Sequence, residues 1–68
     1  MPYINLKVTP AITVDQKREI VERFTRTLVD VLGKKPEQTH IVIDEIDEQN
    51  WGFAGMLTKE YRAQQTGG

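Results

Sequence analysis

Residues 13–33 read TVDQKREIVERFTRTLVDVLG, and this stretch decides the fold of the 68-residue chain. Its apolar residues recur at spacings of three and four, and charged residues fill the opposite side, which is typical of an amphipathic helix of about five turns. The segment TVDQ matches a capping box, in which Thr13 and Gln16 satisfy each other's backbone N–H groups. Gly33, with Pro36 just beyond it, predicts where the helix ends.

The segments on either side of this helix have the pattern of strands. In YINLKVT, residues 3–9, apolar and polar residues alternate strictly, which predicts a strand with one buried face. In THIVIDEI, residues 39–46, β-branched residues dominate and apolar side chains fall on both faces. A strand, a helix and a strand in this order predict a βαβ unit of the α/β class, with two parallel strands.

The remainder of the chain is polar and interrupted by glycine. Residues 47–56, DEQNWGFAGM, contain an asparagine and two glycines and predict a turn or short hairpin. We expect residues 62–68 to form a flexible tail, and residues 1–68 to form one domain.

Composition limits the ways in which so small a chain can become stable. It has no cysteine and one histidine, so disulfides are excluded and a structural zinc site is disfavoured. A two-stranded sheet under one helix also has a bare face and two open edges. We therefore expect self-association to supply the missing stability, and we interpret the βαβ unit as a protomer.

Charge and hydropathy argue against two classes of partner. The net charge is −1 and basic residues are not clustered, so nucleic-acid binding is not indicated. No segment has the length and apolarity of a membrane helix or a signal peptide, so we expect no membrane partner and a cytoplasmic location.

Four segments together resemble the 4-oxalocrotonate tautomerase family: MPYINLKV, VDQKREIVERFTRTLVDVLG, HIVIDEID and NWGFAGM. The resemblance implies the tautomerase fold, assembled as a homohexamer that is a trimer of dimers. It also implies removal of Met1, so that Pro2 becomes the catalytic N-terminus. Family members interconvert enol and keto forms, or shift double bonds, in small 2-oxo acids without metal or cofactor. A small carboxylic acid is therefore the expected substrate.

A terminal proline suits this chemistry for physical reasons. A free α-amine ionises near neutral pH, and a site that desolvates the ammonium form brings its pKa closer to neutrality. General bases work best when their pKa lies near the working pH. The nitrogen of Pro2 can then take a proton from one substrate atom and return it to another. While Met1 remains attached, the same nitrogen is an amide and is not basic.

Other candidate site residues follow from the resemblance and include two departures from the family. Well-studied members have arginines at the positions of Ile12 and His40, and we assign both positions to substrate binding. His40 fits either a carboxylate-binding donor or an ordinary strand residue at a subunit boundary. Trp51 occupies an aromatic position that lines the site, and it equally suits an interface anchor. Ala54 replaces a glycine found in many members, which matters only where the hairpin requires a positive φ.

Two alternatives to a tautomerase remain open from the sequence. One is a dehalogenase or decarboxylase of the same superfamily, although no residue stands out as the extra acid or base that such reactions need. The other is an oligomeric binding or structural module whose site is inactive or only promiscuous, an interpretation favoured by the missing arginines. The cations Lys7, Lys34, Lys35 and Arg62 are interpreted as solvated surface. Oligomer size is also left open.

Overall fold

The computed structural model describes residues 1–66 of the chain. Its elements, in order, are β1 (Tyr3–Val8), α1 (Val14–Leu32), β2 (His40–Glu45), β3 (Gly52–Phe53), β4 (Met56–Leu57) and α2 (Thr58–Thr66). Short 3₁₀ turns precede β2 and β3, at Pro36–Gln38 and Glu48–Asn50. The predicted α/β class, the βαβ unit and the C-terminal hairpin are confirmed. Within residues 1–66, no helix combines the length and apolarity needed to span a membrane.

Strands β1 and β2 pair in parallel, with Tyr3 opposite His40 and Val8 opposite Glu45. The pairing continues past the strand ends, since the His40 N–H donates to the Pro2 carbonyl at 3.0 Å. In a parallel ladder, both polar groups of a residue point to the same side. The even-numbered residues of β1 therefore bond to β2, and the odd-numbered ones present their N–H and C=O groups along the outer edge.

Helix α1 begins and ends as the sequence predicts. Thr13 Oγ1 accepts the Gln16 N–H at 3.1 Å, and Gln16 Oε1 accepts the Thr13 N–H at 2.9 Å, which completes the capping box. Gly33 closes the helix at φ 67°, a left-handed conformation that glycine adopts without steric cost. Lys17 pairs with Glu45 and so joins the start of α1 to the end of β2.

The sheet face opposite the helix carries a polar network. Because side chains alternate along a strand, Asn5, Lys7, Val42 and Asp44 lie on the face that α1 does not cover. Asp44 accepts hydrogen bonds from Asn5 Nδ2 at 2.9 Å and from Lys7 Nζ at 3.1 Å. These hydrogen bonds, with that from Asn5 the larger influence, hold the pKa of Asp44 below its ordinary value. Val42, beside this network, keeps 40% of its surface exposed.

An isolated chain does not enclose a core. Among the described residues no apolar side chain is fully buried, and the only buried side chain is that of Thr58. The Cα radius of gyration is 16.0 Å, whereas a compact domain of this length has a radius of about 11 Å. The apolar surface that α1 and the sheet leave open therefore favours coverage by other copies of the chain.

The C-terminal segment differs from the sequence-based expectation. Residues 62–66 belong to α2, not to a flexible tail, and residues 67–68 lie outside the described part of the chain. Residues 59–65, KEYRAQQ, are mostly good helix formers. Tertiary contacts also stabilise the helix, since the ring centroids of Tyr61 and Phe53 lie 4.6 Å apart and Arg62 pairs with Glu48.

The β3–β4 hairpin requires positive φ at both loop residues. Ala54 has φ 56° and Gly55 has φ 75°, the pattern of a two-residue type I′ turn. The alanine that replaces the family's glycine is therefore strained, since the left-handed region costs a residue with a Cβ about 1–2 kcal/mol.

Ala54→Gly is expected to stabilise the protein. Removing the left-handed strain stabilises the folded state by more than the extra conformational entropy of glycine stabilises the unfolded chain. The free energy of unfolding should therefore rise by about 0.5–1 kcal/mol. Urea denaturation at one fixed protein concentration measures the change. Gly55→Ala is the matched control and should lower stability through backbone strain alone, because a Cβ at Gly55 meets no atom within 4 Å. A destabilised Ala54→Gly variant would contradict this account of the turn.

Candidate active site

Pro2 and His40 lie together at the amino ends of the two parallel strands. Pro2 is half-buried and its carbonyl accepts the His40 N–H, which fixes the start of β1 against β2. His40 opens β2, is exposed and stands opposite Tyr3 in the register. A free Pro2 nitrogen would thus have a histidine on the neighbouring strand at the same end of the sheet.

Ile12 and Trp51 lie at the other end of the sheet. Ile12 is half-buried in the loop that joins the carboxyl end of β1 to α1, and Trp51 shares a cleft with Val8 and Thr9. A strand rises about 3.3 Å per residue, so Pro2 and Val8 are separated by about 20 Å. Within one chain, the structure brings Pro2 together with His40 and does not bring it together with Trp51.

The cleft beside Trp51 combines aromatic and basic side chains. It encloses about 360 Å³ and is lined by Lys7, Val8–Thr9, Trp51, Phe53, Thr58 and Arg62. Both charged residues in this lining are basic. A flat apolar wall beside two cations is suited to a small organic anion with an apolar part.

The position of Trp51 is fixed by Thr58. Thr58 Oγ1 donates to the Trp51 carbonyl at 2.7 Å, and the Thr58 N–H donates to the same oxygen at 2.9 Å. Thr58 is the most buried of the described residues, and an unpaired hydroxyl there would lower the stability of the fold. The bond to the Trp51 carbonyl satisfies this hydroxyl. The two bonds hold the backbone of the segment before β3 against the start of α2, where Trp51 lines the cleft.

Helix α2 supplies residues that the sequence reasoning did not assign to the site. Arg62 was expected to be solvated surface, but α2 places it in the lining beside Trp51, where it pairs with Glu48. Thr58 was not singled out at all. The sequence does contain an indication of both residues, because the helix formers of residues 59–65 directly follow Thr58 and predict a helix there. Such a helix places Arg62 about one turn after Thr58.

Comparisons with known proteins fit this architecture. The family profile described as tautomerase enzyme matches residues 2–61. The chain is 40% identical over 65 residues to probable tautomerase K2 of Dickeya dadantii, covering 94% of this chain and 97% of that protein. It is 30% identical over 60 residues to the 2-hydroxymuconate tautomerase of Comamonas testosteroni, covering 88% and 95%.

Solved structures give the same result. A 4-oxalocrotonate tautomerase isozyme from Methylibium petroleiphilum superposes with a TM-score of 0.87 at 30% identity, over 93% of this chain and 98% of that one. The family profile, over residues 2–61, spans both strands of the βαβ unit, the helix between them and the β3–β4 hairpin that follows Trp51, so it includes both ends of the candidate site. The chain therefore belongs to the tautomerase family of isomerases, and its βαβ unit is the tautomerase fold.

Proposed function

We propose that the protein is a cofactor-free tautomerase that interconverts enol and keto forms of a small 2-oxo acid, with Pro2 as the general base once Met1 is removed. Membership of the tautomerase family supports the reaction class. The name of the Comamonas relative supports the substrate class, since 2-hydroxymuconate is the enol of a 2-oxo acid. The backbone bond that holds Pro2 next to His40 at the amino ends of the strands supports its role.

The separation of Pro2 from the Trp51 cleft is the observation that carries this proposal. Within the described residues, β1 has one partner strand, β2, and its outer edge carries unpaired backbone groups. When two copies pair antiparallel along that edge, the two-fold axis brings Pro2 of one copy to the Val8–Thr9 end of its partner. That end holds the cleft. Each complete site then combines Pro2 and His40 of one copy with Trp51 and Ile12 of the other.

In such a site the proton transfer needs one base and no cofactor. The Pro2 nitrogen takes the proton of the enol hydroxyl, the carbonyl forms, and the electron pair of the C=C bond moves to the far carbon. The same nitrogen then returns the proton to that carbon. The indole of Trp51 excludes water and favours the uncharged amine, while His40 donates to the substrate oxygen as charge develops there.

We infer assembly as a homohexamer from the same surfaces. Two-fold pairing along β1 uses the free edge but leaves Val42 and the polar network of Asn5, Lys7 and Asp44 uncovered. Packing three such dimers around Val42 covers this apolar part of the face and leaves the Lys7 end open to the cleft, and it accounts for the lack of fully buried apolar side chains among residues 1–66. The low compactness of the single protomer supports a large shared interface.

The processed protein is expected to accelerate ketonisation of phenylenolpyruvate. Intact mass first establishes that the sample is one methionine lighter than the full sequence, because only then is Pro2 a free amine. Loss of the enol absorbance measures the rate, and an unprocessed sample serves as the control. A processed, correctly assembled sample without activity above the spontaneous rate would exclude the tautomerase and support an oligomeric binding module.

A further inference from the structure

We propose that Arg62, together with Lys7, binds the carboxylate of the 2-oxo acid in the cleft beside Trp51. This assignment rests on the proposed function. It provides the cationic group that the resemblance places at positions 12 and 40, where this chain has isoleucine and histidine. It also narrows the substrate to a monocarboxylate with an apolar or aromatic substituent.

The charge of the cleft is the first argument. Arg62 and Lys7 are its charged lining residues, and both come from elements that the fold holds in place. Arg62 lies in α2, one turn after the buried Thr58, and Lys7 lies near the end of β1. Both side chains keep more than half of their surface exposed. The Trp51 and Phe53 rings of the same lining exclude water from part of the cleft and so strengthen the attraction of these cations for an anion.

The geometry of the Arg62 side chain is the second argument. A guanidinium presents five N–H donors in a planar fork that matches a carboxylate. Glu48 pairs with Arg62 Nη1 and so limits the rotation of the side chain. An arginine already held in position loses less conformational entropy when a ligand carboxylate binds. Glu48 thus acts as a positioning residue for Arg62.

Lys7 is the weaker of the two cations. Its Nζ lies 3.1 Å from Asp44 Oδ2, so its charge is shared with that carboxylate. A lysine is a point charge without the arginine fork, and it is strongly hydrated. One fork and one shared point charge suit a single carboxylate, and the Trp51 and Phe53 rings suit an apolar substituent at the other end of the ligand.

Binding can be followed through the cleft itself because Trp51 is the only tryptophan. Phenylacetate is the probe, and phenylacetamide is its uncharged counterpart. We expect Arg62→Gln to raise the Kd of phenylacetate by about tenfold to a hundredfold. Arg62→Lys keeps the charge but loses the planar fork, so its Kd for phenylacetate should lie between those of the wild type and Arg62→Gln. Binding of phenylacetamide should be weak and the same in all of these variants.

Arg18→Gln is the matched control. Arg18 also pairs with a carboxylate, Asp15 at 2.9 Å, but it lies on α1 and outside the cleft. Its replacement should leave the Kd of phenylacetate unchanged. Helical circular dichroism and native mass spectrometry establish that each variant is folded and assembled. If Arg62→Gln does not fold or assemble, the comparison of Arg62→Lys with the wild type still tests the binding site.

The outcomes separate this inference from the proposed function. A wild-type protein that binds phenylacetate through Arg62 but shows no ketonisation would overturn the function and support the binding site. Normal turnover with an unchanged Kd and KM in Arg62→Gln would overturn the binding site and leave the function in place. If Arg62→Gln weakened the binding of phenylacetate and of phenylacetamide equally, the carboxylate-binding role of Arg62 would be overturned too. Arg62 would then support the cleft structurally without contacting the carboxylate.

Discussion

Insertion of one serine between Met1 and Pro2 is expected to lower kcat/KM for ketonisation by about 10²–10⁴-fold, the usual contribution of a general base. After removal of Met1, the new terminus is the serine amine, and the Pro2 nitrogen is locked in a peptide bond. The base is thereby lost from its position while every side chain is kept. Steady-state rates on the mass-verified variant measure the effect.

Pro2→Ala is the companion variant. It keeps a terminal amine at the same position but replaces the rigid secondary amine with a more mobile primary one, so the expected loss is smaller than that of the insertion. The Kd of phenylacetate at Trp51 should be unchanged in the insertion variant, which shows that the cleft is intact. An insertion variant as active as the wild type would rule out Pro2 as the base.

Trp51→Ala is expected to lower kcat/KM by about tenfold to a hundredfold, through both a higher KM and a lower kcat. The indole lines the cleft, and in the proposed shared site its removal would admit water around the ligand and around the Pro2 amine of the neighbouring copy. The ammonium form of Pro2 is then better solvated, so the basic form prevails only at higher pH. A full pH–rate profile measures both effects.

Trp51→Phe controls for the loss of the aromatic wall. A phenyl ring preserves a flat apolar surface, and the backbone bonds from Thr58 to residue 51 do not depend on the side chain. We expect this variant to keep most of the activity and the wild-type pH profile. Trp51→Ala with unchanged kinetics would instead make Trp51 an interface anchor or a surface residue.

The βαβ unit was predictable because its pattern is local and repeated. The three- and four-residue spacing after Thr13, the capping box and Gly33 each specify the helix independently. Strict alternation before Pro10 does the same for the first strand. The C-terminal helix lacks such a pattern, since its sequence is polar and its stability depends on the Phe53–Tyr61 and Glu48–Arg62 contacts.

The candidate site was predictable only in part. Resemblance to the family named Pro2, His40, Trp51 and Ile12 as one site, but the parallel register places them at two ends of the sheet. Spacing along the chain does not reveal which of these residues would meet across a subunit boundary in the proposed dimer. Arg62 was overlooked for a related reason: its proximity to Trp51 depends on α2, a helix that the sequence pattern did not predict.

A mixing experiment tests most directly whether each site is shared between two copies. The serine-insertion variant and Trp51→Ala are unfolded together at equal amounts, refolded, and assayed for ketonisation. A two-fold dimer with one copy of each has one site with both an intact Pro2 and an intact cleft. Random pairing should therefore restore about one quarter of the wild-type activity. A mixture no more active than the mean of its two parents would contradict a site shared across the β1 edge.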